Sequence, residues 1–70
     1  MKYYATITSC TGQVEVGGTK ESLIADLIAM KRQGVLDGSE IVCVYGVDLE
    51  TGNRVSAGVE GDEILKASGL

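Results

Sequence analysis

Histidine is absent from this chain. That removes the side chain most often used as general acid or base near neutral pH. The hydroxyls and thiol that could serve as nucleophiles, Ser9, Cys10, Ser22, Ser39, Ser56 and Ser68, therefore have no His partner, and no Ser-x-x-Lys motif replaces it. Cys10 and Cys43 belong to no Cys-x-x-Cys pair. A zinc site built on them would lack its third and fourth ligands. Both are expected as buried or half-buried thiols. A Cys10–Cys43 disulfide would need an oxidising compartment, for which the composition gives no sign. Paired carboxylates can work without histidine, as in glycosidases. A chain of 70 residues has little room for the cleft they need. The residues thus predict no catalytic site, no metal and no cofactor.

Two other groupings carry charge. Gly17-Gly18-Thr19-Lys20 precedes a helical pattern, and the free amides of a helix N-terminus attract anions. The full phosphate-loop pattern is missing, and the start of a helix explains these residues without any ligand. Asp37 and Glu40 flank the start of one strand pattern, and Glu60, Asp62 and Glu63 follow the next. If those strands form a hairpin, the five carboxylates meet at one end, with Lys66 the nearest base. The alternatives there are a solvated rim, a docking surface for a basic partner, and a calcium site without EF-hand spacing.

The elements that must position these groups follow from periodicity. Lys2–Ser9 is β-branched and aromatic and reads as a strand, with a turn at Cys10-Thr11-Gly12-Gln13 and a short strand at Val14-Glu15-Val16. Thr19 suits a helix N-cap. Leu23, Ile24, Leu27, Ile28 and Met30 form one stripe at helical spacing. Glu21 in the first turn, and Lys31 and Arg32 in the last, complement the dipole. Gly34 followed by Val35 suits a Schellman ending. The helix is placed at about residues 20–33. Ala25 and Ala29 on its other side would let a second backbone approach, although alanine is also simply the best helix former.

Glu40–Tyr45 is the strongest strand pattern. It is apolar on both faces, with Ile41, Cys43 and Tyr45 on one and Val42 and Val44 on the other. Such a strand wants cover on both sides. A turn at residues 48–53 leads to Arg54–Val59, which alternates as a strand. Asp62 can cap a last helical turn over Glu63–Ala67.

The expected fold is α+β: one domain over residues 1–70, a four-stranded antiparallel sheet in β-β-α-β-β order with strand order 2-1-3-4, and one helix crossing over it with right-handed connection. Ala5, Ile7, Val14, Val16, Val55 and Ala57 should lie under the helix. The open face should show Tyr4, Thr6, Thr8, Glu15, Arg54 and Ser56 around Val42 and Val44. Apolar patches of this kind often mark interfaces, so the face is expected to dock a partner, most simply a second copy. Alternatively the C-terminal Ile64-Leu65-Leu70 folds over it.

Net charge is −4, from ten acids against six bases. That argues against direct nucleic-acid binding and against docking on anionic membranes. No apolar run spans a bilayer or resembles a secretory signal, so the cytoplasm is the expected compartment. The favoured function is a small acidic protein-binding module without catalysis. It would be an accessory protein of the phage or mobile-element kind that inhibits a larger partner, such as one that grips nucleic acid. The alternatives are a ligand-binding homo-oligomer, with its pocket between subunits and the Gly17–Lys20 turn as lip, and a structural protein whose sheets pair edge to edge.

Overall fold

The computed structural model describes residues 1–70. Strand β1 (Lys2–Ser9) turns through Cys10 and Thr11 into β2 (Gly12–Gly18). Gly12 takes φ 146°, a conformation open essentially to glycine alone. The ladder pairs Ser9 with Gly12 at the turn and Tyr3 with Gly18 at the far end. Thr19 then caps helix α1 (Lys20–Arg32), its hydroxyl accepting from the Ser22 amide at 3.2 Å. The helix ends as its sequence implies. Val35 N–H donates to Met30 O, Gly34 N–H donates to Lys31 O, and Gly34 takes φ 78°. Val35 itself stays exposed, and Leu36 is the side chain that turns inward.

Strand β3 (Ile41–Val47) pairs with β1, and β4 (Arg54–Ser56) pairs with the end of β3. All pairings are antiparallel, and the strand order is β2-β1-β3-β4, as expected. Helix α1 packs over β1 and β2. Leu23 and Leu27 from its stripe are fully buried, with Ile24, Ile28 and Met30 half-buried beside them.

The C-terminal part departs from expectation. Instead of a strand to Val59 and one helical turn capped by Asp62, β4 stops at Ser56 and a second helix, α2, runs Gly58–Ala67. Gly58 turns the chain at φ 54°, and its amide donates to the Ser56 hydroxyl at 3.2 Å. Val59 is 72% exposed rather than sharing a sheet face with Val55. The buried stripe of α2 is Gly61, Ile64 and Ser68, with Ala57 and Leu65 half-buried alongside. It ends as α1 does: Leu70 N–H donates to Leu65 O, Gly69 N–H donates to Lys66 O, and Gly69 takes φ 77°. Lys31 Nζ joins the two endings by donating to Gly69 O at 2.7 Å. At the opposite end Lys20 of α1 pairs with Glu60 and Glu63 of α2. The helices therefore lie side by side and point the same way.

Both helices lie on one side of the sheet. Register decides which residues they cover. Ala5 pairs with Val44 and Val16, and Ile7 pairs with Val42 and Val14. Directly paired residues share a face, and Ala5 and Ile7 are core. Val42 and Val44 thus belong to the covered face, against the expectation that they centre the open one. A Cβ added to Gly61 would sit 3.7 Å from Val44 Cγ1, which shows how closely α2 lies on that strand. The segment Ile64-Leu65-Leu70 consequently covers the α1 side and leaves the other side bare. Val14 points to the covered side at the sheet margin yet remains exposed. The buried core contains six apolar residues: Ala5, Ile7, Leu23, Leu27, Leu36 and Ile64. No helix is long and apolar enough to cross a membrane.

Candidate binding surface

The same parity assigns the uncovered face. Lys2, Tyr4, Thr6 and Thr8 stand on it from β1, Gln13, Glu15 and Gly17 from β2, Ile41, Cys43, Tyr45 and Val47 from β3, and Arg54 and Ser56 from β4. Of the residues expected there, Tyr4, Thr6, Thr8, Glu15, Arg54 and Ser56 are present. Ile41, Cys43 and Tyr45 take the place of Val42 and Val44.

At one end the face is held by aromatic and ionic contacts. Tyr4 and Tyr45 are direct partners across the central strand pair. Their rings stack with centroids 5.5 Å apart and planes 15° from parallel, a favourable offset geometry. Tyr4 reaches this position by leaning over Gly17, its neighbour on β2. A Cβ at Gly17 would fall 2.4 Å from the Tyr4 ring, so only glycine leaves the ring its place. Arg54 covers Tyr45 with its guanidinium carbon 4.1 Å from the centroid, and Lys2 Nζ lies 5.2 Å from the Tyr4 centroid. The Tyr45 hydroxyl reaches past β1 to donate to Glu15 Oε2 at 2.6 Å. One hydrogen bond and one ring stack so tie together three strands.

Donation to Glu15 raises the Tyr45 pKa, burial adds to this, and the Arg54 charge opposes it. The protonated phenol is the form the fold favours. Stability from this bond is thus fully present below about pH 10, the unfolded value, and is lost as pH climbs through the folded value. Glu15→Ala is expected to bring the tyrosinate absorbance transition of Tyr45 to lower pH. An unchanged transition in that variant would show that the bond does not form in solution.

Toward the other end the face loses its charges. Thr6 Oγ1 donates to Cys43 O at 3.4 Å. Beyond it Ile41 is 66% exposed beside Thr8. Both Cys43 and Cys10 are free and exposed, not buried or half-buried as the sequence suggests. Cys43 follows the parity of Ile41, and Cys10 sits at the hairpin tip. Both thiols are expected to react with an aromatic disulfide reagent in the native protein nearly as fast as in the unfolded chain. A slow phase for either would contradict its exposure.

No family model matches the chain, and no curated protein or solved structure does either. Its reading therefore rests on its own residues.

The structure separates the acids that topology was expected to unite. Glu60 and Glu63 lie at the start of the paired helices, where Lys20 bridges them, Lys20–Glu60 at 2.8 Å. Those contacts, Glu60 first, hold the Lys20 ammonium above its ordinary pKa. Asp37 and Glu40 lie near the helix ends, lining a groove with Lys31, Gly69 and Leu70. Lys20 and Lys31 are eleven residues apart on α1, so the two acidic groups are separated by about 16 Å of helix. The two groups stay apart because β4 ends opposite Tyr45 and never returns alongside Glu40. Asp62 is exposed and caps nothing.

The loop acids serve their own backbone. Glu40 accepts from the Asp37 and Gly38 amides, and Asp37 accepts from the Ser39 hydroxyl and amide. The Ser39 contacts lower the Asp37 pKa. Gly17, Gly18, Thr19 and Lys20 are equally occupied. Gly17 makes room for Tyr4, Gly18 sits against Ser22, Thr19 caps the helix, and Lys20 is engaged by two carboxylates. An anion at this turn would compete with Glu60 and Glu63 for the same ammonium.

Proposed function

We propose that this chain is a small protein-binding module that docks through its uncovered sheet face and carries no chemistry of its own. The observation behind this reading is the one-sided architecture. Two helices cover one face, while the other leaves Ile41, Cys43 and Thr8 exposed, with Thr6 half-buried among them, beside a braced tyrosine pair. Exposed apolar surface next to a rigid aromatic pair is the usual make-up of an interface. The braced end contributes pre-ordered side chains, which lowers the entropy cost of docking.

The simplest occupant is a second copy of the chain, its sheet stacked on this one. The small core favours this. Six buried apolar residues in a chain of 70 leave much to gain from further burial. A heterologous partner, which the module would occlude as an inhibitor does, is the second occupant. The separation of the acids leaves the sheet face, not an acidic end, as the surface such a partner would meet.

Light scattering behind a sizing column, at two well-separated concentrations, tests this. The native chain is expected to show a dimer mass that Ile41→Asp converts to monomer without unfolding. A dimer mass unchanged by Ile41→Asp would remove the face from self-association. If the chain is monomeric and binds its partners equally with and without Ile41→Asp and Thr6→Arg, the face is not a docking surface at all.

A further inference from the structure

A second binding geometry lies on the covered side and is independent of the open face. Strand β4 pairs only with Tyr45–Val47, so Ile41–Val44 of β3 has no strand beside it on that edge. The phase of the edge is fixed by the turn that follows it. Asp48 N–H donates to Asn53 O, and alternate residues direct their backbone the same way. Gly46, Val44 and Val42 therefore turn theirs toward the β4 side. At Val42 the strand that would receive it has already ended. Next to this edge, where β4 would have continued, is a groove of about 590 Å³ lined by Leu36, Val42, Leu65 and Leu70. Asp37 and Glu40 stand in its rim, and Lys31 stands in its wall with its ammonium turned to the Gly69 carbonyl.

An unpaired strand edge beside an apolar groove is the geometry of strand addition, in which main-chain hydrogen bonds supply affinity and alternate side chains supply specificity. We propose that this edge of β3 accepts a short extended segment of another protein, antiparallel to β3 and in line with β4. Its apolar side chains fill the groove, and a lysine or arginine faces Asp37 and Glu40. The two carboxylates keep lone pairs free beyond their backbone contacts, whereas the one nearby cation is already engaged. That imbalance selects a basic segment over an acidic one. The groove that touches β2 is smaller, about 330 Å³, and meets that strand only at Val14, near the hairpin tip, and β2 presents Glu15 on the opposite face.

Fluorescence anisotropy with a labelled Thr-Val-Thr-Val-Thr-Lys hexapeptide, whose valines and last lysine share the groove side of an added strand, tests the assignment. The native chain is expected to bind it, and to bind the same peptide with glutamate in place of the lysine at least tenfold more weakly. Methylating the peptide amides that face β3 should abolish the signal. Leu70→Asn, at an exposed groove residue, and the double variant Asp37→Asn with Glu40→Gln should each weaken binding about tenfold, with circular dichroism unchanged. No binding of the basic peptide at millimolar concentration overturns the proposal. Equal binding of the methylated peptide overturns strand addition. Binding indifferent to Leu70→Asn and to the acid variants places the peptide elsewhere, on β2 or the open face, and also overturns it.

Discussion

Val44→Asp is expected to unfold most of the molecules, while Cys43→Asp, one residue away, leaves them folded. Val44 pairs with the fully buried Ala5 and lies beneath Gly61 of α2. An aspartate there meets apolar side chains and a helix backbone with nothing to pair its charge. Burying an unpartnered polar group costs several kcal/mol, and a carboxylate either costs more or takes up a proton. A chain of this length has about 4–10 kcal/mol of stability in all. Cys43 is exposed on the other face, where a substitution away from special features changes stability by less than about 1 kcal/mol. Urea unfolding followed by circular dichroism of both variants decides the matter. Equal stabilities would mean that β3 does not hold the register described.

Ile64→Ala is expected to remove about 2–5 kcal/mol, the range for truncating a fully buried aliphatic side chain. Ile64 is the one large apolar residue that α2 buries completely. Its loss therefore weakens the chief apolar anchor between α2, α1 and the sheet. The remaining contacts of the stripe come from the half-buried Leu65 and from Gly61, Ala57 and Ser68, which have little surface to contribute. The urea midpoint should fall steeply, and the amides of α2 should lose hydrogen-exchange protection before those of β1. A loss under about 1 kcal/mol, well below the range for such sites, would show that α2 rests on the sheet without belonging to the core.

Much of this architecture is legible from residue order. The β1–β2 turn, the start of α1 at Thr19 and its close at Gly34 each depend on one residue with one narrow conformational role, and such residues announce themselves. Strand order follows from short connections and right-handed crossing. The facing of β3 is not legible from β3 alone, because Ile41, Cys43 and Tyr45 are about as apolar as Val42 and Val44. What decides it is the partner strand. Val42 and Val44 stand opposite Ile7 and Ala5, and Ile41, Cys43 and Tyr45 stand opposite Thr8, Thr6 and Tyr4. Pairing the two candidate strands residue by residue, before choosing a face, would have found it.

Helix α2 was hidden for a different reason. Its inward stripe is Ala57, Gly61, Ile64, Leu65 and Ser68, at helical spacing but mostly small. Val55, Ala57 and Val59 meanwhile imitate a strand. Small residues signal a helix that lies close, not a segment that lacks a core side, and the near approach of Gly61 to Val44 is that closeness. The expected acidic cluster depends on β4 running to Val59, whereas β4 stops at Ser56 and the early start of α2 puts Glu60 and Glu63 at the other end of the domain. The Glu15–Tyr45–Arg54 contacts had no sequence signal, since they join residues on three different strands through side-chain length alone.

The central position of β1 also governs how the chain reaches this state. The β1–β2 hairpin is local and closes in microseconds. The β1–β3 ladder is not local: Thr6 and Cys43 are separated by 37 positions, and the loop between them must be closed before any of its hydrogen bonds form. Until then the run from Ile41 to Tyr45 waits with both faces and both edges bare. That interval is when one chain can capture another, so the docking of β3 onto β1 is expected to set the folding rate and also the concentration above which folding gives way to aggregation.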